Sequence, residues 1–217
     1  MTDGWVDLDH EFDLVIDYDP SRWLEIPPRW EKESWQDIDA WARECAELLW
    51  RSHGQDPGES GVPFLAGTLR RCADVFAPER FDTRVLLHVT TPTSMPLPLF
   101  ASVEPSRGER DETLRSLVLA KDPDAVELPV VETHRTEELG EGLRAFRYVR
   151  QDDSPDVLAG LRYAWRDDEL GTDVAVWTAT DDIGQVMRAA EDIEQLTHKI
   201  QIRVWELEET TSQDAPS

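Results

Sequence analysis

The chain has 217 residues, with 46 acidic against 22 basic side chains and a formal net charge of −24. A length of this order suits one sizeable domain that buries roughly 70% of its unfolded surface and needs neither disulfide nor metal to fold, and a hydrophobic share of 40% with 9 Trp and 6 Phe excludes a disordered chain. The charge opposes nucleic acid phosphates and anionic membranes, no stretch approaches the ~18 apolar residues of a membrane span, and the opening MTDGWVDLDHE lacks a secretory pattern, so the cytoplasm is the expected location.

Residues Val6 to Tyr18 alternate. Val6, Leu8, His10, Phe12, Leu14, Ile16 and Tyr18 share one parity, while Asp7, Asp9, Glu11, Asp13 and Asp17 share the other, which predicts a long strand with a carboxylate face. The next segment, DPSRWLEIPPRWEKES, carries two adjacent prolines and reads as a short extended piece ending in a turn. Ser34 is placed to cap a helix, supported by Asp37, with Trp35, Ile38, Trp41, Ala42, Cys45, Leu48 and Leu49 on its inner face up to Arg51. The loop SHGQDPGESG leads to a second helix with Pro63 in its first turn and Phe64, Leu65, Leu69, Cys72, Ala73 and Phe76 inward, ended by Ala77-Pro78.

Beyond this the pattern becomes extended: TRVLLHVTT, LPLFASVE, AVELPVVETHRT, GLRAFRYVRQ, DVLAGLRYAWR and TDVAVWTAT, with a short helix at Arg110 to Leu119. The turn at Leu139 to Gly142 predicts a hairpin and antiparallel pairing. Asp181 or Asp182 caps a last helix whose inner face carries Ile183, Val186, Met187, Ala190, Ile193 and Leu196, and IQIRVWEL closes the fold as a strand. The expected architecture is α+β: one domain over residues 1–207, an antiparallel sheet of about six to eight strands with packed helices and a helical pair at about 34–77, then a disordered acidic tail over 208–217.

The entry Trp23-Leu24-Glu25-Ile26-Pro27-Pro28-Arg29-Trp30 and the ending in which AAEDIEQLTHKI runs into IQIRVWEL resemble PsbP-like folds, including small actinobacterial proteins of that architecture. The resemblance implies a binding or assembly module rather than an enzyme. It carries over no functional residue.

Cys45 and Cys72 fall on apolar helical stripes and read as buried thiols in a reducing compartment. His10, His53, His88, His134 and His198 show no zinc spacing, and His134, near Glu132 and Glu137, reads as an ordinary exposed histidine. The stripe Asp7, Asp9, Glu11, Asp13 fails as a calcium loop, since Phe12 stands where glycine is needed and Tyr18 where a bidentate Glu is needed. No metal or cofactor is expected. Such a stripe is solvated, or paired internally with Arg144, Arg147, Arg150, Arg162 and Arg166 on two later strands, or is the docking face for a basic partner.

The same arginines support a rival reading. Guanidinium forks suit phosphate and carboxylate, so convergence of Arg144, Arg147, Arg162 and Arg166 would form an anion pocket. No Gly-rich phosphate loop or nucleophile elbow accompanies them. The leading expectation is a non-enzymatic interaction module, an adaptor, assembly or accessory protein with an acidic surface for a basic protein partner. An immunity or inhibitor protein is a specific form of it. The alternative is a small enzyme or anion-binding protein built on the arginines.

Overall fold

The computed structural model describes residues 10–28, 35–77, 83–150 and 157–206, without the side chains of residues 10, 11 and 206. In chain order the elements are β1 (His10–Ile16), β2 (Trp23–Ile26), α1 (Ile38–Ser52), α2 (Gly61–Phe76), β3 (Thr83–His88), β4 (Leu97–Pro105), α3 (Arg110–Leu117), β5 (Val130–Thr136), β6 (Gly140–Arg150), β7 (Val157–Asp167), β8 (Thr172–Thr180), α4 (Ile183–Thr197) and β9 (Ile200–Glu206). Seven strands form one antiparallel sheet in the order β2-β3-β4-β8-β7-β6-β5, and β1 pairs with β9 in a separate two-stranded ribbon. The fold class is α+β, with helices packed on an antiparallel sheet. No described helix is long and apolar enough to cross a membrane.

Strand alternation gives the large sheet two different faces. One carries Leu86, Leu99, Val176, Leu161, Tyr163 and Trp165, and buries them under Val186, Ala189, Ile193 and Leu196 of α4 together with Leu14 and Ile200 of the ribbon. The opposite face is covered at two separate places. At the β2–β3 end, Leu24, Ile26, Val85 and Leu87 pack against Trp41, Leu49, Leu65 and Leu69 of α1 and α2. Toward β6 and β7, Ala145 and Ala164 pack against Leu114 of α3 and Val118 just after it. Small residues under α3 let a short helix lie close to the sheet.

Local chemistry sets the helix ends. Ser34 lies outside the described residues, and the cap of α1 is Asp37, whose carboxylate accepts from the Ala40 amide at 2.8 Å. Asp182 does the same for Gln185 at the start of α4. Three predicted inner faces need correction: in α1, Leu48 is exposed while Ala46 and Trp50 are buried. Phe64 at 61% exposure and Met187 at 59% point outward, as does Ile183, because each helix is rotated so that Thr68 in α2 and Ala189 in α4 face inward instead.

Close backbone approach requires glycine at 142. A Cβ there would lie 2.3 Å from the Ala164 carbonyl oxygen and 2.5 Å from Trp165 Cδ1, so the missing side chain is what lets the fully buried Trp165 sit across the ladder from β6.

Candidate functional site

Of the carboxylate stripe, Asp7 and Asp9 lie outside the described residues, and Glu11 is described only as backbone. Asp13 is turned to its own molecule. Arg84 of β3 grips it with Nη2 at 2.6 and 2.8 Å and with Nε at 3.2 Å, and reaches Glu25 through Nη1 at 3.1 Å. The internal partner is therefore Arg84, and not the arginines of β6 and β7, because the ribbon crosses the sheet beside β3 and β4 rather than over the later strands.

The four candidate arginines do not share one place. Arg144 stands on the α4 side and pairs with Glu132 at 3.1 Å and Glu194 at 2.9 Å. Arg166 lies on the α3 side at the strand end, held by Asp173 at 2.6 and 2.9 Å and by the carbonyls of Arg107 and Gly108, each at 3.0 Å. With both side chains 7% exposed, this pair is a structural tie. Arg147 and Arg162 do meet on the α3 side. Arg147 forms an ion pair with Asp122, whereas Arg162 donates from Nη1 to the Leu117 carbonyl at 3.0 Å and makes no ion pair among the described residues. Burial, and then the charge of Arg147, push the Arg162 guanidinium down to about 10.

A second place combines a groove with unpaired charge. Asp17 and Asp19 at the end of β1, with Glu191, Asp192, Gln195 and Lys199 near the end of α4, line a groove of about 600 Å³. Arg22 lies in it but is already committed to Asp192 through contacts of 2.7 and 2.8 Å. Asp17, Asp19 and Glu191 make no ion pair among the described residues. The Ser21 backbone amide donates to Asp19 at 2.9 Å and holds its carboxyl below the ordinary range, which keeps the charge in place.

Beneath the groove, Asp192 also accepts from the imidazole of His88 at 2.8 Å, and that ring packs 4.6 Å from Trp23. His88 is buried and its Nδ1 has no partner, so it braces Asp192 rather than facing a substrate. His134, expected to be exposed, is buried against Tyr163 and Trp165, with Nε2 at 3.0 Å from the Thr197 hydroxyl. Strand parity places it on the α4 side, where the sheet is deeply covered. Among the described residues no group of three or more His, Cys, Asp or Glu is placed to hold a metal ion.

The groove was missed by sequence reasoning. Its acids come from two segments about 170 positions apart whose meeting depends on β1 pairing with β9, and the nearest local signal was only the parity of Asp17. No family model and no curated protein matches the chain.

Proposed function

We propose that the protein is a non-enzymatic interaction module, cytoplasmic in location, whose acidic surface engages a basic protein partner through the groove between the end of β1 and α4. The observation that carries the reading is the pairing pattern. Arg22, Arg84, Arg144 and Arg166 are spent on carboxylates of the same chain, while Asp17, Asp19 and Glu191 line, with Lys199 and the engaged Arg22, a concave surface where they make no ion pair among the described residues. A lysine or arginine from a partner fits that vacancy in charge, and a field of this sign speeds the encounter with a basic protein. The resemblance to PsbP-like layouts points the same way.

The test is affinity capture at low ionic strength from a lysate of the native host, using the immobilised protein and a variant with Asp17→Asn, Asp19→Asn and Glu191→Gln. The expected result is a basic protein retained by the wild type, released by about 0.3–0.5 M salt, where the Debye length falls below ~6 Å, and lost from the variant. Retention of the same proteins by both, or of no basic protein by the wild type, refutes the reading.

A further inference from the structure

The two helical covers on the α3 side of the sheet leave a strip between them. Across it Phe100 of β4, Trp177 of β8 and Arg162 of β7 are direct cross-strand neighbours. The two rings stack with centroids 5.4 Å apart and planes 13° apart, and the Arg162 guanidinium stands 5.8 Å from the Trp177 ring. Phe76, at the end of α2, closes one side edge-on to Phe100 at 5.9 Å. From β6, Arg147 reaches over Gly160, where a Cβ would lie 3.6 Å from both its Cγ and its Nε.

This pair of cations is unusual here. Acidic residues outnumber basic ones 46 to 22, yet Arg162 is half-buried without a carboxylate among the described residues. Its contact with Leu117 uses one N–H at the C-terminal end of α3, a favourable place for a cation, and the rest of the fork makes no hydrogen bond among the described residues. Arg147 bonds Asp122 through Nη1 while its buried Nε has no partner. Among the described residues the strip thus holds several donors, two positive charges and one compensating carboxylate, beside an apolar aromatic wall.

We propose that this strip binds a monoanionic carboxylate that carries an apolar body. The carboxylate takes the free edge of Arg162 and neutralises the one excess charge, and the apolar body lies against the edges of Trp177, Phe100 and Phe76. A phosphate monoester fits less well, because it brings nearly two charges and no apolar part for that wall. An anion here also offsets the Arg147 charge, which adds to the effect of burial in depressing Arg162. The site lies on the opposite side of the sheet from the acidic groove and stands whether or not a basic partner binds there.

The experiment is calorimetric titration of the full chain with hexanoate, hexanol and inorganic phosphate, repeated on R162Q and on R144Q, whose arginine lies on the other face. Hexanoate is expected to bind saturably, at least tenfold more weakly to R162Q and unchanged to R144Q, with no binding of hexanol. If R162Q does not fold by circular dichroism, R162K carries the test, with binding weakened at least threefold because the fork is lost. The sequence between β6 and β7 contains Asp152, Asp153 and Asp156, outside the described residues, so a variant with all three changed to Asn is titrated as well. Absence of hexanoate binding to both the wild type and this variant overturns the proposal, as does phosphate binding equal to hexanoate or equal affinity in the arginine variants.

Discussion

Glycine to alanine at two positions should change stability in opposite directions. At Gly142 the added Cβ would meet a backbone oxygen at 2.3 Å and the Trp165 ring at 2.5 and 2.8 Å. The oxygen belongs to Ala164 in the ladder and cannot rotate away, so either the β6–β7 pairing opens locally or Trp165 leaves its fully buried seat. Overpacking of this kind costs about 1–3 kcal/mol, and the backbone clash puts this case at the upper end or beyond. For a domain of this size about 3 kcal/mol lowers Tm by roughly 6–12 °C. Gly67 sits inside α2 with nothing within 4 Å of an added Cβ, so the same methyl group there relieves helix entropy and stabilises by about 0.5–1 kcal/mol. Urea denaturation followed by far-UV circular dichroism measures both. A Gly142→Ala variant within about 0.5 kcal/mol of wild type, below the smallest overpacking cost, would refute the claim that β6 and Trp165 depend on that approach.

Acid should weaken the fold before the carboxylates titrate. Burial holds His88 below its ordinary range against the opposing pull of Asp192, and burial likewise holds His134 below it despite Glu194, with His198 and Arg144 adding to the depression. A histidine with a depressed folded pKa stabilises above its unfolded pKa near 6.5, and that stability falls as pH drops from there toward the folded pKa, by at most about 1.4 kcal/mol per pH unit for each ring. Denaturation midpoints between pH 7.5 and 5.5 are expected to fall in the wild type and to change less in a His88→Gln, His134→Gln variant; equal slopes would remove these rings as the cause. The thiols should be inert in the native state, since burial pushes Cys45 up to about 12 and also raises Cys72. Iodoacetamide at pH 8 should label both only after denaturant is added, and native labelling at the rate of a free thiol would contradict their burial.

Periodicity made the skeleton readable because both periods are enforced by burial. Trp41, Cys45 and Leu49 recur at helical steps because α1 lies on the sheet, and Leu161, Tyr163 and Trp165 alternate with Arg162 and Arg166 because one face of β7 is buried under α4 while the other is only partly covered. Helix rotation was less readable. Phe64 and Met187 are apolar on the outer sides of their helices, and nothing local distinguishes an exposed apolar residue from a buried one at the same spacing. The partners of charged groups were not readable at all. Asp13 and Arg84 are 71 positions apart, and Arg22 and Asp192 are 170 apart, so their pairing is a product of topology. Parity separates the arginines that the sequence reading let converge: Arg144 and Arg147 are three apart in one strand and face opposite sides of the sheet, so no single pocket holds all four.

The distribution of ion pairs ties the two candidate sites together. A chain with a large acidic excess can stabilise its fold by directing its scarce arginines at the carboxylates that folding brings into partly covered positions, and Arg84 with Asp13 and Glu25, or Arg166 with Asp173, follow that logic. The cost of breaking such a buried pair from one side exceeds what the intact pair contributes, so these residues are constrained by the fold itself. What calls for a functional explanation is a charge that departs from the scheme. Asp17, Asp19 and Glu191 gather, beside Lys199, in a groove with its one arginine already engaged, and Arg162 holds a half-buried position beside a second arginine with, among the described residues, a carbonyl and an aromatic ring as its contacts. The first departure follows the sign of the whole molecule, so a partner there must compete with every other acidic patch and owes its specificity to the shape of the groove. The second opposes that sign, so long-range attraction cannot supply its ligand, and recognition at Arg162 has to come from short-range hydrogen bonds and the aromatic wall.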